Sequence, residues 1–154
     1  MSASLHTVHI RVNDSAGGQP TAARLSIYNP QGEYYAPFGR LADFATFPAQ
    51  DVGGNVLVAG RKAAFIDGSC EIRLPDGPLH IWVSKGPEFT PIETTLTLGK
   101  GQISLRFSLE RWTESSKSGW YSGDTRAHHL SPHAALIEAA AEDLAFVNLL
   151  AKAS

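Results

Sequence analysis

The chain has 154 residues, 43% of them hydrophobic and 18% charged, with a formal net charge of −2. That balance suits one globular domain with a short appendage and excludes a disordered chain. Thirteen basic residues against fifteen acidic ones form no basic cluster, which gives no nucleic-acid footprint. No apolar run reaches the roughly 20 residues needed to cross a bilayer.

Most of the chain is strand and turn. Leu5 to Val12 alternate apolar and polar residues, so the N-terminus reads as a strand rather than a signal peptide. The compartment stays open: cytoplasmic, or exported if a signal was removed. Asn13 to Pro20 make a loop, Leu25 and Ile27 alternate with polar neighbours, and Asn29-Pro30-Gln31-Gly32 supplies turn chemistry. The stretch 34–62 is irregular, with Val56-Leu57-Val58 as its apolar run. Its aromatics Tyr34, Tyr35, Phe38, Phe44 and Phe47 are expected to pin the loop to the domain, or to line a groove.

Phe65-Ile66 lead into Asp67-Gly68, a hairpin signal, and Cys70, Ile72 and Leu74 alternate after it. Cys70 is the single cysteine, so no intrachain disulfide or thiolate zinc cluster can form, and it reads as a small buried hydrophobe. Pro75-Asp76-Gly77 turns the chain into Leu79, Ile81 and Val83. Ile92 to Leu98 and Ile103 to Leu109 are two more alternating segments, joined by Gly99-Lys100-Gly101. Short strands with one buried face predict an antiparallel β-sandwich over residues 1–110.

Residues 111–130 read as a serine-containing linker and the start of a second element. Ser131-Pro132 opens a predicted helix, with serine as cap and proline at the first helical position. The helix continues through an Ala-, Leu- and Glu-rich run whose Leu136, Ala140 and Leu144 share one face. For 145–151 both a longer helix and a short strand fit. A helix with such a face is expected to dock on the sandwich, to meet a catalytic domain, or to form a homodimer.

Several ordered pieces resemble one family. They are Asp67-Gly68, Leu74-Pro75-Asp76-Gly77, Lys85-Gly86-Pro87-Glu88-Phe89-Thr90-Pro91, Arg111-Trp112 and Gly119-Trp120-Tyr121-Ser122-Gly123-Asp124. The chain resembles the N-terminal part of a PHP-superfamily (polymerase-and-histidinol-phosphatase) metallohydrolase of the carbaryl-hydrolase-like branch. That resemblance implies a sandwich similar to transthyretin or to carboxypeptidase regulatory domains, placed ahead of a catalytic barrel. It further implies a zinc or manganese site opening on the first barrel strand. Position by position, Asp124 and His128 match metal-site positions, while Arg126 stands where the family has its first histidine. The stretch 142–147 resembles the second barrel strand, and the family's remaining ligands are absent before Ser154.

Arginine keeps its proton and has no lone pair to offer, so Arg126 cannot ligate a cation; it could pair with Asp124 instead. His129 and His133 are weaker candidates, because residues 131–132 start the helix after His129. His6, His9 and His80 read as structural or exposed, and Glu88 and Glu138 as carboxylates available in principle for acid chemistry. No catalytic residue is assigned and no cofactor is expected for this chain alone. The sequence therefore predicts a non-catalytic accessory or recognition β-sandwich associated with a metal-dependent hydrolase. Two alternatives are a carbohydrate- or ligand-binding sandwich using Trp82, Trp112, Trp120 or the aromatic loop, and a hydrolase completed by another chain.

Overall fold

Apolar residues at every second position give each strand one face to bury, and two sheets satisfy that need by facing each other. The computed structural model describes residues 4–38, 55–128 and 130–150. One sheet is built from β1 (Leu5–Asp14), β5 (Ser69–Pro75), β7 (Phe89–Thr90) and β9 (Ser104–Arg111), in the order β5-β1-β9-β7. The other contains β2 (Ala23–Tyr28), β3 (Asn55–Val58), β4 (Arg61–Ile66), β6 (Gly77–Ser84) and β8 (Ile92–Leu98), in the order β3-β4-β2-β6-β8. Val8, Ile10 and Val12 of β1 meet Leu25 and Ile27 of β2, Ile72 and Leu74 of β5, and Leu79, Ile81 and Val83 of β6 in one core. All ten are at most 1% exposed, so the sandwich expected from the alternation is the fold observed.

Pairing is antiparallel throughout the five-stranded sheet, whereas β1 and β9 run parallel, with Ile10 beside Leu105. Asp67-Gly68 is no hairpin. β4 pairs with β2 and β3, β5 pairs with β1, and the turn carries the chain from one sheet to the other. Gly68 has φ +105°, and a Cβ there would stand 2.8 Å from the Pro20 side chain, so glycine is required by both torsion and space. The hairpin that does form joins β3 and β4 through Ala59-Gly60, both with positive φ, a two-residue turn that matches strand twist.

Tyr34 and Tyr35 are half-buried, Tyr35 against the core and Tyr34 with its ring 5.5 Å from that of Tyr28. Phe38 is exposed, and Phe44 and Phe47 lie outside the described residues. Cys70 is partly buried and packs against the core.

After β9 a single 3₁₀ turn (Ser115–Ser118) leads to β10 (Gly123–Ala127), helix α1 (Pro132–Ala141) and β11 (Phe146–Leu149). β10 and β11 pair in parallel as a separate two-stranded sheet, so 146–149 is a strand rather than more helix. Ser131 caps α1 as expected, its Oγ accepting from the Ala134 N–H at 3.1 Å with Pro132 opening the helix. The docked face is not the one expected. Ala134, Ala135 and Ala141 are buried while Leu136 is 73% exposed, because alanines let the helix lie close to β2 and β4.

Candidate functional site

Two carbonyl-rich and charge-rich surfaces meet where the end of α1 reaches the sandwich. Residues 142–143 close the helix, and Asp143 adopts the left-handed conformation with φ +56°. The Asp143 and Leu144 N–H groups return to the carbonyls of Ala140 and Ala139, which satisfies part of the helix end. The side chain of Lys85, 7% exposed, donates to the carbonyl of Ala140 and, at 3.1 Å, to that of Ala22. A cation at a helix C-terminus also meets the negative end of the helix dipole. Burial pushes the Lys85 ammonium below its ordinary pKa, against the pull of Asp143.

Arg111, at the last position of β9, extends this contact. Its guanidinium pairs with Glu88 on one side and on the other lies 2.8 Å from Asp143 Oδ2. The same guanidinium stands 4.3 Å from the centroid of the Phe89 ring, and Phe89 beneath it is 3% exposed. Glu88 also accepts from the Ser115 N–H at 3.0 Å, which ties the 3₁₀ turn down. Hydrogen bonds from Ser115, and then the Arg111 guanidinium, hold Glu88 below the usual carboxylate range. Glu88 is thus a charged clamp residue, unsuited to donate a proton near neutrality. Arg24 of β2 pairs with Glu142 at 2.9 Å, and burial still raises the Glu142 pKa.

Backbone approach completes the junction. A Cβ on Gly86, whose φ is +47°, would stand 2.5 Å from the Glu142 carbonyl oxygen. Ser122 donates to the Asp143 carbonyl at 2.6 Å, and Trp112 donates its indole N–H to the Pro87 carbonyl at 3.0 Å. The Phe146 ring lies over Gly123, where a Cβ would make it shift. A cleft of about 510 Å³ opens beside this network, lined among others by Arg111, Trp120, Tyr121 and Asp143. The pieces Lys85–Pro91, Arg111-Trp112 and 119–124 are far apart in sequence and together here. The periodicity of the chain carries no sign of this, since Lys85, Arg111 and Asp143 lie at strand or helix ends.

The sequence-derived metal positions are arranged differently. Asp124 Oδ1 accepts from the backbone N–H of Arg126 at 2.8 Å, so the two residues meet through the main chain rather than as an ion pair. The β10–β11 register shifts between Asp124 and Ala127, which interrupts the simple alternation that would align Asp124, Arg126 and His128. His128 is exposed just past the end of β10, His133 is exposed on the first turn of α1, and His129 lies outside the described residues. Among the described residues no three His, Cys, Asp or Glu side chains form a group able to hold a metal ion. Glu138 is half-buried on α1, and His6 lies 3.0 Å from the Gln102 carbonyl and 3.5 Å from Asp76.

No family model matches the chain, and no curated protein matches it. Among solved structures, one described as the Streptococcal ancillary pilin is similar, with 14% identity and a TM-score of 0.41. The likeness covers 71% of this chain but 30% of that one, so the chain spans under a third of the pilin's length. Among the described residues no helix is long and apolar enough to cross a membrane.

Proposed function

We propose that this chain is a non-catalytic accessory or recognition β-sandwich that carries the first βαβ unit of a metal-dependent hydrolase domain and holds it in place. The observation behind this reading is the β10–α1–β11 unit. Parallel strands need a crossover, and parallel sheets occur with both faces covered, as the inner layer of an α/β domain. Here the sheet has two strands, Phe146 on β11 is 51% exposed, and Trp120 and Tyr121, just ahead of β10, are 75% and 68% exposed. Two strands alone are marginal, so further strands and helices would cover these side chains. The clamp around Arg111 gives the resembling pieces a physical reason to occur together: they position that unit on the sandwich.

Arg126 and the scattered histidines argue against catalysis by this chain alone. The test is metal analysis of the purified protein after incubation with zinc or manganese, paired with hydrolysis assays on ester and phosphoester substrates. The reading expects substoichiometric metal and no turnover above the buffer rate. One equivalent of metal together with turnover would overturn it.

A further inference from the structure

The face of the five-stranded sheet turned away from the core is divided. Helix α1 packs against β2 and β4, while a groove of about 620 Å³ lies open over β2, β6 and β8. That volume is within the range of small-molecule sites, roughly 300–1,000 Å³. Trp82 lies along its floor, opposite Ser26 on one neighbouring strand and Glu93 on the other. Serine leaves depth beside the half-buried indole.

We infer that this groove binds an uncharged saccharide, with Trp82 as the stacking platform and the Arg61–Glu93 pair as the hydroxyl reader. The inference does not depend on the hydrolase reading. The guanidinium carbons of Arg24 and Arg61 stand 5.2 and 5.5 Å from the Trp82 centroid. Both lie within cation–π range of the ring, so a sugar reaches the aromatic face by displacing the Arg61 guanidinium, whose side chain is 42% exposed. A sugar ring matches such a surface, since its C–H face lies on the aromatic face while its hydroxyls reach outward.

Arg61 Nη2 is 3.2 Å from Glu93 Oε1, and the two side chains are 42% and 72% exposed. They place a donor and an acceptor side by side, the arrangement two adjacent hydroxyls require: one hydroxyl donates to the carboxylate while its neighbour accepts from the guanidinium. An exposed pair of this kind is weak, so opening it toward a ligand costs little. At the other edge His80 Nδ1 lies 2.9 Å from Thr95 Oγ1, which leaves the second imidazole nitrogen for a ligand. An anion is disfavoured by the Glu93 carboxylate at the rim, 72% exposed, and Arg24 is already held by Glu142. Trp112 has no such setting, and Trp120 lines the junction cleft instead.

The experiment is a screen of the whole chain on an array of neutral and anionic glycans. Titration of the best neutral binder follows, read on the indole N–H resonance of Trp82. The expected result is a neutral glycan that shifts this resonance. Its affinity should fall about tenfold or more in both Trp82→Ala and Glu93→Ala, and stay unchanged in Trp120→Ser. Glu93 is exposed, so its variant keeps the test valid even if Trp82→Ala fails to fold. Absence of any neutral binder, binding only to anionic glycans that salt abolishes, or undiminished binding by Glu93→Ala would each overturn the assignment.

Discussion

Arg111 Nη2 sits 2.8 Å from Asp143 Oδ2, a pair that joins the last strand of the sandwich to the residue that turns the chain out of α1. The two positions are 32 residues apart in sequence. The same guanidinium holds Glu88, so a single side chain fixes the start of β7, the end of β9 and the exit from the helix.

Replacing Arg111 by methionine keeps most of the side-chain volume over Phe89 and removes the charge. Glu88 and Asp143 then face each other across a partly buried space without a cation. All three side chains retain some exposure, 28% for Arg111, 19% for Glu88 and 22% for Asp143, so water screens part of the penalty. The expected loss is about 1–2 kcal/mol, measured as a lower urea midpoint with an unchanged slope. An unchanged midpoint would show that the clamp contributes nothing to stability.

Gly86→Ala should be more damaging than its size suggests. Its φ of +47° disfavours any Cβ, and the new methyl would stand 2.5 Å from the Glu142 carbonyl oxygen, a backbone atom that cannot rotate away. The left-handed conformation alone costs about 1–2 kcal/mol, and displacement of the helix end adds to it. Thermal unfolding of the variant should start below that of wild type, and Gly60→Ala serves as control, since its Cβ would meet nothing within 4 Å despite a positive φ. Equal losses in the two variants would reduce the effect to torsion and remove the role of close approach.

Stability should depend on pH through two carboxylates of opposite sign. Ser115 and Arg111 depress the Glu88 pKa, so Glu88 binds fewer protons when folded. Its contribution is present above its ordinary value of 4.5 and is lost as pH falls through the lower folded value. Burial raises the Glu142 pKa, with Arg24 and Lys85 opposing, so Glu142 binds more protons when folded. Its contribution is full below 4.5 and is lost as pH rises through the higher folded value. Denaturation profiles across this range should lose their acid limb in Glu88→Gln and flatten above pH 4.5 in Glu142→Gln. Wild-type slopes retained in both variants would contradict the assignment.

Strand positions were legible because each strand has one dry face. The alternation that places Ile10, Leu25, Ile72 and Ile81 inward requires no knowledge of partners, and all four are at most 1% exposed. Which strands pair was not legible. Asp67-Gly68 has hairpin chemistry, yet Gly68 is needed because Pro20 from another loop crosses it, a contact that local sequence does not encode. The short hairpin through Ala59-Gly60 has no clear sequence signal, because alanine rarely takes positive φ. For α1 the cap was readable from Ser131-Pro132, but the docking face was not, since alanines at 134, 135 and 141 carry little hydropathy contrast. Lys85, Arg111 and Asp143 look like ordinary surface charges until the fold brings them together.

Elements β10, α1 and β11 are held on the sandwich by the junction clamp. Hydrogen exchange followed by mass spectrometry on the whole chain tests it most directly. Amides of α1 and β11 should be protected alongside those of β6 and β9, and Arg111→Met should accelerate exchange in α1 and β11 while β1 stays protected. Fast exchange of α1 and β11 in the wild-type protein, or no response of either element to Arg111→Met, would contradict it.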